Sequence, residues 1–212
     1  MDLEEAIQTR RSIRKFQEKE VPIELILKAI DLACWAPNAS NLQAWRFFVV
    51  TNKEKISKMA DALEAKANLI ATWPEVAGNE ALVNSIRNNA STIRNAPAIV
   101  AIGALTSEGG LDLILKQRAG DPIAEEMVRS RSESNSNAQT VSSAAAHLLL
   151  ALHGLGLGGC WMGGPMLARK ELEEVLAVPS GVHLYMLTPV GYPSETPAPK
   201  PRKQRDEVVS VL

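Results

Sequence analysis

The chain has 212 residues, a formal net charge of −1 and a pI near 6.3, with 46% apolar and 22% charged residues. This composition is that of an ordinary globular protein. A single domain of this length buries roughly 70% of its unfolded surface and needs neither disulfide nor metal to hold it. Near-neutrality excludes a general nucleic-acid binder, which carries a basic excess, but leaves room for a local anion site.

Taken in chain order, the acidic, amphipathic start "MDLEEAIQTR" does not read as a secretory signal, and residues 2–9 carry a helical pattern with Leu3, Ala6 and Ile7 on one face. The stretch 10–16, "RRSIRKF", follows. Pro22 opens a second helix through "PIELILKAIDLACWA", proline being favoured at the first helical position. Residues 46–50 read as a strand, 52–71 as a helix capped by Asn52, and 78–94 as a weaker helix. "PAIVAIGA", 97–104, is a short apolar run bounded by proline and glycine, which predicts a buried strand. Residues 105–136 carry three glycines, a proline and the polar run "SESNSN", and are expected to form a mobile excursion or lid with a short helix. A helix at 137–153, a strand at 157–161, a helix at 165–177 and a strand at 182–192 complete the predicted body. The proline-rich tail "YPSETPAPKPRK" is expected to be extended, ending in "EVVSVL" as an edge strand. The apolar region 144–162 is broken by His147, His153 and glycines and does not read as a membrane span. Cys34 and Cys160 suit a reducing compartment, so a cytoplasmic protein is expected. Irregular connections argue for one layered α+β domain, 1–212, with long terminal arms, rather than a regular βαβ repeat.

Few residues carry readable chemistry. "GLGLGG", 154–159, has the spacing of a dinucleotide fingerprint but follows a helix where the fingerprint must follow a strand, so Gly154 is read as the left-handed residue ending that helix. His147, His153 and His183 have no metal-ligand spacing and are read as structural. No nucleophile–base pair is evident. What stands out is cationic: eight of the 23 lysines and arginines fall in "RRSIRKF" and in 200–205. A solvated face is one reading. Arginine forks with the Ser12 hydroxyl suit a phosphate equally well. In "APNASNLQAWRF", 36–47, the amides of Asn38, Asn41 and Gln43 have the donors and acceptors to read a heterocycle edge or to close a capped loop, and the residues leave both open. Anion and ring contacts without acid–base machinery suit an enzyme whose cofactor carries the chemistry.

Four motifs, "RRSIRKF", "APNASNLQAW", "GLGLGGCWMGGP" and "VGYP" followed by "KPR", resemble in order and spacing the FMN-dependent nitroreductase family over nearly the whole chain. The resemblance implies a three-layer α-β-α fold with a mostly antiparallel sheet, and a homodimer that exchanges terminal arms and holds two FMN molecules at its interface. It implies that Arg10, Ser12 and Arg14, with Arg11 beside them, contact the FMN phosphate and ribityl chain, and that Lys200 and Arg202 reach the same phosphate. Pro37, Asn38 and Ala39 would approach the flavin bound by the partner, with Asn41 and Gln43 near it. Met162, Gly163 and Gly164 would line the ring, the Gly164 N–H facing N5. Many relatives carry serines at the positions of Asn38 and Ala39, proline at Ala44, and some an acid at Gly163. The implied activity is reduction of small, flat, electron-poor acceptors such as nitroaromatics or quinones by NADH or NADPH in a ping-pong hydride mechanism, with no catalytic side chain, metal, nucleic acid or membrane. The alternatives are a reductive dehalogenase or other flavin-dependent dehydrogenase, or a flavin-binding module without turnover.

Overall fold

A computed structural model describes residues 2–106 and 109–212. The order of elements is α1 (Leu3–Thr9), α2 (Ile23–Ala33), β1 (Trp45–Val50), α3 (Lys53–Ile70), α4 (Glu80–Arg94), β2 (Ala98–Leu105), α5 (Gly110–Gln117), α6 (Pro122–Ser134), α7 (Ser136–Gly154), β3 (Gly158–Gly159), α8 (Arg169–Leu176), β4 (Val182–Gly191) and α9 (Arg205–Val208). The strands form one sheet in the order β1-β2-β4-β3, every pair antiparallel.

The sheet is covered on both faces, which makes three layers. Side chains alternate along β2. Ala98, Val100, Ile102 and Ala104 meet α2 and α7 through Ile26, Ala29, Leu148 and Leu152. Ile99 and Ala101 meet α3, α4 and α8 through Met59, Leu63, Ile93 and Leu172. A strand buried on both faces reads as an unbroken apolar run, which is why 97–104 was legible without any alternation. Gly103 sits at a register shift between β2 and β4, where a Cβ would lie 2.7 Å from the His183 carbonyl oxygen. Arg94 ties α4 to α3 by pairing with Asp61 and Glu64 at 2.8 and 2.9 Å.

Three expectations change. The excursion 105–136, of which 107 and 108 lie outside the described residues, holds two helices rather than one short one. Asp121 caps α6 by accepting the Ile123 and Ala124 N–H groups, with Pro122 in the first turn. Asp112 accepts the Gly109 N–H at the start of α5 and pairs with Arg131 of α6. Residues 207–212 form no strand. Gln204 and Glu207 build a capping box that starts α9 instead. Finally, Gly154 stays inside α7, and Gly156, at φ 77°, takes the left-handed conformation. No helix among the described residues is long and apolar enough to cross a membrane.

Candidate functional site

The stretch 10–16 leaves α1 as an extended arm laid on the sheet. Ser12 bridges Gly159, and the Ile13 N–H donates to the Gly159 carbonyl at 3.0 Å. The arm lies on bare backbone. A Cβ on Gly158 would sit 2.6–3.0 Å from the Ile13 side chain, and one on Gly191 would sit 2.7–2.9 Å from the Phe16 ring. Gly158 and Gly191 are cross-strand partners, so one glycine pair forms the seat. With Ile13 buried beneath, the neighbouring Ser12 and Arg14 face the other way. Burial pushes the Cys160 thiol pKa up and the Glu195 charge adds to it, while Arg14, a hydrogen bond with Ser12 and Arg10 act against it. Arg11 is turned back, its Nη1 donating to the Gln8 and Arg10 carbonyls. The arm starts against α7, where Thr9 Oγ1 lies 2.8 Å from His153 Nε2. Burial and the charges of Arg10 and Arg11 lower the His153 pKa. On its far side the arm pairs with the tail: Gln17 N–H reaches the Tyr192 carbonyl at 2.9 Å, and Ser194 N–H the Lys15 carbonyl at 3.0 Å. Lys200 and Arg202 are exposed, and none of the described contacts joins them to Arg10–Arg14.

The loop between α2 and β1 carries the second group. Ser40, Asn41 and Gln43 all have φ near +50°, a left-handed conformation that costs about 1–3 kcal/mol at a non-glycine residue. Asn38 closes the loop: its Oδ1 accepts the Gln43 N–H at 2.8 Å and its Nδ2 reaches the Ala36 carbonyl at 3.3 Å. Asn41 Oδ1 accepts from Gln43 Nε2 at 3.4 Å. The Asn38 amide is therefore engaged within the loop, while Asn41 and Gln43 are exposed. Pro37 and Ala39 are exposed beside them. The loop rests on α7 at Ala144, through Ala36 and Trp45. Ala144 and His153 are nine residues apart, so loop and arm dock on α7 about 14 Å from each other.

The third group follows β3. Met162 is fixed by two backbone hydrogen bonds with Leu187, both 3.0 Å, and is buried. Gly163 and Gly164 then lie exposed. A Cβ on Gly163 would meet nothing within 4 Å, and one on Gly164 would meet Asn89 Nδ2 at 3.1 Å. Gly164 opens a short 3₁₀ turn through Ala168, so its N–H is one that a helix start leaves without an internal partner. The result is a bare backbone floor with a free donor. Asn89, half-buried on α4, was missed in the sequence because "NN" within a helix carries no spacing signal. Only the approach of α4 to this turn singles it out. Among the described residues no cluster of histidine, cysteine and carboxylate is fit for a metal, and the histidines serve the fold: His147 Nδ1 lies 3.1 Å from the Ser143 carbonyl.

The family model described as Nitroreductase family matches residues 7–192. A protein of Methanothermobacter thermautotrophicus, provisionally named NADH dehydrogenase/NAD(P)H nitroreductase, is 33% identical over 199 residues, 93% of this chain and 80% of that one. A BluB-like flavoprotein from Clostridium difficile 630 has the same fold, with a TM-score of 0.83 at 24% identity over 100% of this chain and 99% of that one. Iodotyrosine deiodinase, solved with FMN and 3-iodo-L-tyrosine, superposes with a TM-score of 0.73 at 21% identity over 100% and 98% of the two chains.

Proposed function

Because this chain belongs to the nitroreductase family, we propose that it is an FMN-dependent oxidoreductase that uses NADH or NADPH to reduce small, flat, electron-poor acceptors such as nitroaromatics or quinones. The observation that carries the reading is the pairing of a cationic arm, Arg10, Ser12 and Arg14, with the open glycine floor at Gly163 and Gly164. The first suits a phosphate and the second a flat ring. FMN held there would supply the redox chemistry that links a nicotinamide donor to the acceptor. The chain's own work is placement. The guanidinium groups and the Ser12 hydroxyl hold the phosphate by charge-assisted hydrogen bonds. The Gly164 N–H would offer a donor to the ring, with Met162 and the Asn89 amide next to that glycine available to line it.

The same reading makes the protein a homodimer. Trp35, just before the 37–43 loop, is 85% exposed and Leu42, within it, 61%, and Leu3 and Ile7 stand out from α1. Such apolar surface marks an interface. Arm and loop, about 14 Å apart on one α7, then serve one ligand from two subunits, with Pro37, Ala39, Asn41 and Gln43 reaching the partner's flavin. The tail from Thr196 crosses between subunits and brings Lys200 and Arg202 to the phosphate. The α5–α6 hairpin roofs the ring and selects the acceptor. Its insertion between β2 and α7 also favours a second reading, reductive dehalogenation of an aromatic substrate.

The test is the visible spectrum of the purified protein under anaerobic NADH or NADPH. A flavin band that bleaches, then returns with a nitroaromatic or quinone, is the expected result. Return only with a halogenated phenol selects the second reading. A flavin band that no donor bleaches points to a binding module, and no flavin after soaking with FMN overturns the assignment.

A further inference from the structure

The consecutive N–H groups of Arg14 and Lys15 both point at one carboxylate oxygen, Glu195 Oε1, at 2.6 and 3.0 Å. Two adjacent backbone donors on a cationic arm would ordinarily be offered to an anionic ligand. Here they are taken by a side chain 181 and 180 residues away in sequence, at the point where the tail leaves the body. The arm is thus gripped from two sides: Ile13 N–H on Gly159, and Arg14 and Lys15 N–H on Glu195.

We infer that Glu195 is a positioning residue for cofactor binding: by fixing the Arg14–Lys15 backbone it aims the Arg10, Ser12 and Arg14 side chains at the phosphate. This rests on the FMN reading above. One consequence is that phosphate recognition falls to side chains, since the arm's adjacent N–H pair is occupied. A second is that arm and tail form one unit. Glu195 pins the tail five residues before Lys200, and the prolines at 197 and 199 stiffen what lies between. A carboxylate beside an anion site opposes the anion by charge, so retaining one there needs a compensating role. Holding the backbone is that role.

The experiment compares FMN and riboflavin binding by apo wild type, Glu195→Ala and Glu195→Gln, using flavin fluorescence quenching, with thermal melts of the apo proteins. Glutamine keeps an oxygen that accepts the same two bonds, and alanine does not. Glu195→Ala is expected to weaken FMN about tenfold or more, to leave riboflavin, which lacks the phosphate, unchanged, and to shift the ³¹P resonance of bound FMN. Glu195→Gln should stay close to wild type. Equal weakening of FMN and riboflavin by alanine means general damage to the fold and overturns the inference. Unchanged or tighter FMN binding in both variants also overturns it, the carboxylate then being only an opposing charge. Wild type that binds FMN no better than riboflavin defeats the phosphate reading itself, which separates the two failures.

Discussion

Replacing Gly158 with alanine tests whether the arm's seat controls the site. The new Cβ would lie 2.6 Å from Ile13 Cγ1, 2.8 Å from Cβ and 3.0 Å from Cγ2. Carbon atoms in good contact stand about 3.5–4.0 Å apart, so the shortfall is roughly 1 Å. No rotamer of Ile13 relieves it, because the Ile13 Cβ itself is in the way. The arm must lift or β3 must yield. Overpacking of this kind costs about 1–3 kcal/mol, and for a chain of this size each kcal/mol lowers Tm by about 2–4 °C. On the proposed phosphate role of Arg10, Ser12 and Arg14, lifting the arm by that distance would break at least one charge-assisted bond, worth about 1.5–3 kcal/mol, so FMN binding should weaken roughly tenfold to a hundredfold. The assay is a thermal melt of the apo protein with FMN and riboflavin titrations. Gly163→Ala is the control, since a Cβ there meets nothing within 4 Å, and its apo Tm should not move. A Gly158→Ala protein with wild-type Tm and wild-type FMN affinity would refute the reasoning.

Arg14→Ala with Arg202→Ala should release FMN on gel filtration, whereas retained flavin would show that arm and tail do not share a phosphate. Light scattering should give twice the 22.9 kDa chain mass, and Trp35→Asp should shift it towards one chain if the exposed ring lies in the interface. His153 is held below its ordinary value of 6.5 by burial, Arg10 and Arg11, with Glu5 opposing. Its folded pKa is the depressed one, so it stabilises the neutral-pH fold. That stability is full above 6.5 and drains as pH falls from there towards the folded pKa, because the unfolded chain takes up the proton first. Chemical denaturation across pH 5–8 should show this slope, and His153→Gln should lose it. Burial raises the Cys160 pKa, and burial with Asp31 raises that of Cys34. Both thiolates are scarce at pH 7.5, and a disulfide reagent should label exposed Cys34 slowly and Cys160 only on unfolding. Fast labelling of Cys160 in the folded protein would contradict its seat beneath the arm.

The body of the fold was legible because its signals are local. Pro22 and Asn52 mark the starts of α2 and α3, and the apolar runs at 46–50, 97–104 and 182–192 each became a strand. The cationic arm stood out by composition, whereas Gly163 and Gly164 were reached only through the family resemblance. The excursion misled because Gly109, Gly110 and Gly120 read as loop. The caps at Asp112 and Asp121 were present in the sequence, but only the packing of α5 on α6 gives them helices to cap. "EVVSVL" misled in the opposite direction: its β-branched residues read as strand, but the capping box of Gln204 and Glu207 starts a helix there and, among the described residues, the segment pairs with no strand of its own chain.

What the sequence determined by itself was most of the inventory: the helices and strands of the body, and where the cations cluster. What only the tertiary structure decided is which distant residues meet. Gly158 and Gly191 become one seat because β3 and β4 pair. Asn89 becomes part of the site because α4 crosses the Gly164 turn. Glu195 becomes the clamp on Arg14 because the tail runs back along the arm. The physical reason is the same for all three. A periodic pattern is set by neighbours along the chain, but contacts across 33 residues (Gly158 to Gly191), 75 (Asn89 to Gly164) and 181 (Arg14 to Glu195) are set by how whole layers pack, and no local pattern encodes that.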